Sequence, residues 1–563
     1  MKGLDFGTST SLISESTPAR TAVTPIGRTE KWLPSLLARS GSTWSAGDDA
    51  LVFPEEQIIR SAKRAITRRV PSFSVFDGSA HVEVDADDVI REILRSLVIV
   101  AEDAFVSLND DAEVRLGCPA MWEGDQRRRL IRLAKEAGIS VSENTVIDEP
   151  IAAGIAWVNQ RTREGSHVSG KLLVFDMGGG TLDVAVLHVD ARPTEPGRKR
   201  IPPVISVQSS IGVDEAGDSL DDAIERDFVD RLSEIGFDVL GHPGGAELTG
   251  WLRRAARVAK VELSNATDTT VVVGHPSIAV PTFTYSRVEL ETAFRSQLDR
   301  AIDVVRLALR AALMAQVKSP TDERAMTPAA ARQYSDDMLA DGVHYVVLAG
   351  GMAHIPAVRE RLGELFGGDR IWMGIDDKSG RAETNSTEMI ALGLSFHEDS
   401  DRMNLHRPGF DFVLEWVEAE GGGAREALVY EAYSPLYTPE QVFIKNSTKY
   451  MWKPRDADAI PTRGEGLLTV RALTGERLDF TFNGARLPGI RMDFGTNDFT
   501  ISLEPNGRVF WRDGGGRTGA VRVAQWPVIR GNKQETIAIE EIEEDDSGRW
   551  SVDSLPWHLK PYD

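Results

Sequence analysis

The stretch Leu173–Val189, LVFDMGGGTLDVAVLHV, constrains the fold more than any other part of the chain. Two apolar runs rich in β-branched residues flank Asp176 and the glycines Gly178, Gly179 and Gly180, a pattern that predicts paired strands joined by a tight turn. Glycines lack Cβ atoms, so they take positive φ and let consecutive backbone N–H groups converge on an anion such as a phosphate. Thr181 adds a hydroxyl to that cradle, and Asp176 and Asp183 bracket the turn. Carboxylates beside a phosphate cradle suit a hydrated Mg2+, which keeps most of its waters and takes few protein oxygens. Taken alone, the stretch also fits an ordinary glycine-rich hairpin.

The N-terminus repeats the plan. Gly3-Leu4-Asp5-Phe6-Gly7-Thr8-Ser9-Thr10 runs from strand to Asp, Gly and hydroxyls, and Leu12 and Ile13 follow. Two such hairpins facing each other would clamp a polyphosphate from both sides. Together with the segments below, these residues resemble the nucleotide-binding domain of the seventy-kilodalton heat-shock chaperones, the DnaK-type family, within the actin-like ATPase superfamily. The resemblance covers residues 1–400, with its motifs in the expected order and at the expected separations. It implies an α/β, two-lobed actin-like ATPase domain with ribonuclease H-like halves over 1–400, followed by a β-sandwich-like domain over 410–563.

Composition narrows the class. At 563 residues the chain exceeds one core, so two to four folding units are expected. A formal charge of −22 argues against nucleic acid or an anionic membrane as a general partner, since both need a positive face. The single cysteine, Cys118, cannot form an internal disulfide. No secretory leader and no apolar run long enough to span a bilayer is apparent. A cytoplasmic location is the expectation.

Several residues acquire roles only through the resemblance. Ser61–Arg69 reads as a basic, helix-like stretch that would otherwise be a solvated face. The resemblance makes Lys63 the lysine that orients the attacking water beside the γ-phosphate, a role that phosphoryl transfer rewards. Asp125–Gly138 has helical spacing with a glycine stop. In Val146–Gly154 the Pro150 marks a helix start, where Glu149 suits the helix dipole; by resemblance Glu149 contacts the metal's water shell or the attacking water. The catalytic set implied is Lys63, Glu149, Asp176 and Thr181, and the metal set is Asp5, Asp176 and Asp183. Pro119 and Arg127 match the family's proline switch and arginine relay.

The nucleotide-binding set implied is Gly7, Thr8, Ser9, Thr10, Lys63, Gly178, Gly179, Gly180, Thr181, Gly217, Lys260, Ser264, Gly350, Gly351 and His354. Lys260 and Ser264 share a helix face and match ribose and adenine contacts. His354 occupies the place of an arginine that stacks on adenine. Three departures stand out: Ala216 replaces a paired glycine, Arg257 a ribose-binding glutamate, and Thr387 an aspartate. ATP/ADP with Mg2+, and K+ as a further cation, are the cofactors implied.

After residue 409, short strand-like runs (467–472, 478–482, 499–503, 508–511 and 521–524) alternate with Gly, Asn and Pro. Pro505-Asn506-Gly507 is a hairpin signal, and a β-sandwich is predicted. Asp411–Glu415 fits either the family's linker or a first strand. Trp416, Trp452, Trp511, Trp526, Trp550 and Trp557 form either core or a platform for extended peptide. No long amphipathic helix follows, only the acidic run 540–546 and a Trp/Pro tail, so the family's helical lid is expected to be missing and captured peptide to exchange quickly.

Function follows as an ATP-dependent, chaperone-like ATPase that controls binding of unfolded or extended polypeptide by the C-terminal domain, with co-chaperones. The alternative is a nucleotide-switched adaptor for one dedicated protein partner, with little turnover. A small-molecule kinase is the weakest reading, because Lys63 and the adenosine motif match the chaperone branch.

Overall fold

The computed structural model describes residues 1–17, 20–110, 114–142, 145–193, 203–315, 328–374, 386–396, 407–418, 422–437, 450–504, 507–523 and 536–540. Trp526, Trp550, Trp557, the acidic run past 540 and the tail lie outside these residues.

Two sheets carry the N-terminal part. In the first, β1 (Lys2–Phe6) pairs antiparallel with β2 (Thr10–Ser16), β2 pairs with β3 (Thr21–Thr24), and β1 pairs parallel with β4 (Val114–Cys118), which pairs parallel with β5 (Val146–Asp148). The second sheet repeats this arrangement with β6 (Val168–Met177), β7 (Leu182–Ala191), β8 (Val204–Val213), β9 (Tyr345–Ala349) and β10 (Ile371–Met373). In both, the third, second, first, fourth and fifth strands lie in that order. The central strands are buried along nearly their whole length, which accounts for their continuous apolar runs rather than an alternating pattern.

The lobes exchange helices. Helix α4 (Glu149–Arg163) follows β5 of the first sheet yet packs on β6 and β7 of the second. Helix α9 (Met389–Ser395) comes after the second sheet and packs on β1, β2 and β4 of the first. The two helices also pack on each other, and Ile151, Ala152, Val174, Leu187 and Leu392 share one core there. The actin-like expectation of two ribonuclease H-like halves is therefore met. Around them lie α1 (Arg64–Thr67), α2 (Ala86–Asp103), α3 (Gly124–Glu136), α5 (Gly217–Glu234), α6 (Gly245–Leu263), α7 (Arg287–Ala315) and α8 (Pro356–Phe366). In the basic stretch 61–69 only one helical turn forms, because Ser61 and Arg69 adopt left-handed backbone at φ 54° and 55°.

Eleven strands lie between Asp411 and Glu540 among the described residues. Their hydrogen-bonded path begins at Ala424–Tyr430 and ends at Tyr450–Trp452. Those two end strands meet: the Tyr430 and Tyr450 rings pack edge to face at 5.3 Å, and Tyr450 Oη donates to Val429 O at 2.8 Å. The sheet thus folds back over its own apolar face, as expected of a sandwich. Asp411–Val417 is a buried strand, which decides against its being a linker. Trp416, Trp452 and Trp511 are buried in the core and offer no platform. Strands 500–503 and 508–512 form the expected hairpin. Among the described residues, no α-helix follows residue 407, and no helix is long and apolar enough to cross a membrane.

Candidate nucleotide cleft

Asp5 and Asp176 are the penultimate residues of β1 and β6, and each strand then turns through Gly-X-X-Thr, Gly7–Thr10 or Gly178–Thr181. The topological repeat places the turns face to face. They are complementary because only one carries side chains at its two middle positions: a Cβ on Gly179 would land on Ser9 Oγ, and one on Gly180 would lie 2.6 Å from Thr8 Oγ1. The carbonyls of Gly178 and Gly179 accept the amides of Gly217 (3.1 Å) and Asp218 (2.7 Å), so the start of α5 is bound to the second turn.

Between the turns lies a cavity of about 390 Å³, within the range of small-ligand sites. Asp5, Gly7, Thr8, Ser9, Thr10, Lys63, Glu149, Asp176, Gly178, Gly179, Gly180 and Thr181 line it. Gly217, Lys260, Ser264, Gly350, Gly351 and Thr387, the residue standing where the resemblance expects an aspartate, complete the polar wall. Gly350 takes φ +79°, and a Cβ there would come 2.7 Å from Asp176 Oδ1; the backbone approaches that closely because the side chain is absent.

Lys63 is buried, paired with Glu149, and 5.7 Å above the Trp122 ring. Burial opposes its charge, but Glu149 and Asp5 outweigh that and hold its pKa above the ordinary lysine value. Around this one cation stand four buried carboxylates, Asp5, Glu149, Asp176 and Asp183. Burial first, and then the Glu149 charge, push Asp5 up to about 7. Asp183 also rises to about 7, by burial and Glu149, against hydrogen bonds from Thr181 and the Ala120 amide. Asp176 is raised well above the carboxylate range by burial and by Glu149, Asp183 and Asp5. Asp176 Oδ1 and Asp183 Oδ2 are buried without a hydrogen-bond partner. Orphaned oxygens in an over-acidic cluster fit a hard divalent cation.

Some expected residues lie apart from the wall. Asp183 stands behind it, fully buried, with Oδ1 accepting the Ala120 amide at 2.7 Å. His354 is hydrogen-bonded to Ser386 at 2.9 Å rather than lining the cavity. Arg257 reaches Asp221 and Glu55, each at 3.4 Å. Pro119 precedes the Ala120 amide that binds Asp183. Arg127 is buried, pairs with Asp148 at 2.7 Å, and lies 3.7 Å from the Tyr433 ring centre. Apolar wall residues were not foreseen: Trp32, Val261, Met352, Ile355 and Ile390 carry no chemical signature to separate them from core.

The sequence matches the Hsp70 protein family over residues 1–378. The chain belongs to the Hsp70 family. The chaperone protein DnaK of Deinococcus proteolyticus is 29% identical over 420 residues, which cover 70% of this chain and 58% of that one. The HscA homolog of Cupriavidus metallidurans is 26% identical over 430 residues, 73% of this chain and 60% of its own. The HscA homolog of Delftia acidovorans is 29% identical over 345 residues, 61% and 44%. The alignment with this Hsp70 thus spans under two thirds of these relatives' lengths.

Proposed function

We propose that this Hsp70 protein binds and hydrolyses ATP to control the binding of polypeptide by its C-terminal β region, with residues 1–400 as the ATPase unit and 410–563 as the binding unit. The facing Gly-X-X-Thr turns around a buried lysine and four carboxylates carry the reading. Backbone amides and hydroxyls of Gly7–Thr10 and Gly178–Thr181 would hold the phosphates, and Gly217, Lys260, Ser264, Gly350 and Gly351 the rest of the nucleotide. His354 would need to leave Ser386 to reach it. Asp5, Asp176 and Asp183 suit Mg2+, which when bound offsets phosphate charge; K+ is a further cation of the proposal.

Lys63 in this scheme directs its ammonium at the phosphoryl oxygens and the attacking water, while Glu149 orients that water and Thr181 donates to a phosphate oxygen. The P–O bond to the leaving ADP breaks as the water oxygen bonds phosphorus, leaving inorganic phosphate. Pro119 and Arg127 would transmit closure of the lobes, a coupling of typically about 1–3 kcal/mol. DnaK and HscA homologs are named chaperones, which supports extended polypeptide and co-chaperones as partners. The single buried Cys118 is compatible with a reducing cytoplasm.

Turnover of ATP to ADP and phosphate by the purified chain, with and without unfolded peptide, tests this. Slow basal hydrolysis lost in Lys63→Ala and Thr181→Ala is expected. Absence of ADP formation, or wild-type turnover by Lys63→Ala, would refute the scheme.

A further inference from the structure

Lys63 stands on a segment that cannot hold itself. Helix α1 is a single turn between left-handed residues Ser61 and Arg69, and a helix that short has almost no stability of its own. The start of α3 fixes it from outside. Gln126 Nε2 donates to the carbonyls of Ile66 at 3.4 Å and Thr67 at 3.0 Å, and Arg129 donates to that of Ala65 at 3.2 Å. These bonds set the backbone of the turn, but they leave open where the flexible lysine stem ends.

Trp122 closes that gap. Its indole N–H donates to Thr67 Oγ1 at 3.0 Å, and its ring lies 5.7 Å from the Lys63 ammonium. Thr67 follows Lys63 by one helical turn, so the two side chains share a face and the indole spans both. Trp122 is fully buried and lies outside the cavity wall, which puts Lys63 between it and any nucleotide. The ring supplies charge stabilisation without a competing acceptor. Glu149 uses one of the ammonium's donors, and a carboxylate in the place of Trp122 would take another from the phosphoryl oxygens. A π face attracts the cation, most strongly when it is an indole in a desolvated site, and leaves the remaining N–H bonds free to point into the cleft.

We propose that Trp122, anchored by Thr67, is a positioning residue that holds the Lys63 ammonium toward the cleft for phosphoryl transfer. The inference rests on the reading of Lys63 as the cation of hydrolysis and names what fixes it there.

Single-turnover hydrolysis and ADP dissociation constants of the full chain, measured on the same variants, test it. Trp122→Leu removes both ring and N–H, and should slow hydrolysis by about tenfold while changing ADP affinity by less than about twofold. Two milder variants carry the test should that one fail to fold: Trp122→Phe keeps a π face, and Thr67→Val keeps the shape of the acceptor. Each should slow hydrolysis by about threefold, and the pair together by no more than either alone, since both break one hydrogen bond. In a Lys63→Ala background, substitution of Trp122 should cost nothing further, as for residues that act as a unit; a merely structural tryptophan would slow both backgrounds alike. Without nucleotide, the fluorescence that Trp122→Phe removes should shift in wavelength when measured in the Lys63→Ala background, because the cation sets the field across the indole. Wild-type hydrolysis by Trp122→Phe and Thr67→Val, a further loss of about threefold or more from Trp122→Phe on top of Lys63→Ala, or an unshifted fluorescence difference would each overturn the proposal while leaving Lys63 in its role. Wild-type turnover by Lys63→Ala would instead remove the reading on which it rests.

Discussion

The two lobes share one strand order and one turn, Asp-X-Gly-X-X-Thr, yet they bring different groups to the cleft. In the first, Asp5 lies opposite Leu12, and the turn carries Thr8 and Ser9. In the second, Asp176 lies opposite a further carboxylate, Asp183, and the turn is bare glycine. The first lobe adds the Lys63–Glu149 pair; the second adds Lys260, tied to Asp221 and the start of α5. A repeated fold thus supplies approximate symmetry of backbone, and the proposed chemistry resides in what breaks it. Two turns bearing side chains at their middle positions would collide, and two turns bare there would lose the Thr8 and Ser9 hydroxyls.

The two lysines divide the halves most sharply. Lys63→Ala should lower the rate of hydrolysis by about 10²–10³-fold with little change in nucleotide affinity, because a pre-set cation acts on charge that develops during transfer. Lys260→Ala should instead weaken nucleotide binding by roughly tenfold and leave bound turnover nearly intact. Single-turnover rates and dissociation constants measured together decide this, and equal effects from both lysines would erase the contrast.

Next in size is the fit between the turns. Gly180→Ala should weaken nucleotide binding, and adding Thr8→Gly should restore part of the loss, with a coupling of about 1–2 kcal/mol in the double-mutant cycle. Additive effects would mean that the two turns do not press on each other.

Burial, by contrast, treats the lobes alike. Asp5 and Asp183, each raised to about 7, start from ordinary values near 4 in the unfolded chain. A carboxyl whose folded pKa is raised contributes stability that is complete below the unfolded value and is lost as pH rises through the folded one. The chain without divalent cation should therefore lose stability from these groups between about pH 4 and 7. Asp5→Asn and Asp183→Asn should each raise the melting temperature at pH 8 by a few degrees, with little change at pH 4. Mg-nucleotide should raise it most in the wild type at pH 8. A wild-type melting temperature that climbs from pH 5 to 8 without divalent cation, and is lowered at pH 8 by both substitutions, would contradict the assigned shifts.

The turns were legible in the sequence because their requirements are local: an Asp at a strand end, glycine where no Cβ fits, a hydroxyl four residues after the second Asp-X. The strands around them were legible for the same reason. Long-range consequences were not. Nothing in residues 149–163 or 389–395 says that each helix packs on the other lobe's sheet. Met352, Ile355 and Ile390 read as core because apolar side chains look the same in a core and in a cavity wall. His354 follows a glycine pair as a stacking residue would, but its hydrogen bond to Ser386 depends on a residue 32 positions away. Asp411–Glu415 reads equally as linker or strand in sequence, because what makes it a strand is its pairing with Leu467–Arg471, more than fifty residues away.

The C-terminal region extends the asymmetry, because α3 of the first lobe holds it. Arg128 reaches Glu431 at 2.6 Å and Asp411 at 3.3 Å, and Arg407 donates to the Met121 carbonyl at 3.0 Å. Tyr433 lies over Arg127 with φ +62°, its amide held by the Pro408 carbonyl at 2.7 Å. A tyrosine in left-handed backbone is strained, and such strain persists only where the surroundings impose it. Arg127 in turn binds Asp148, which precedes Glu149 and accepts the Ser210 hydroxyl of the second lobe at 2.8 Å. Tyr433 therefore touches an arginine whose partner is bonded to both lobes. Replacing it with leucine removes a cation–π contact of about 1 kcal/mol while keeping bulk. Basal hydrolysis should change by less than about threefold, whereas peptide stimulation of hydrolysis should fall by roughly fivefold, the equivalent of that contact. If stimulation survives while Arg127→Lys abolishes it, the signal enters the first lobe by a route other than the Tyr433 ring.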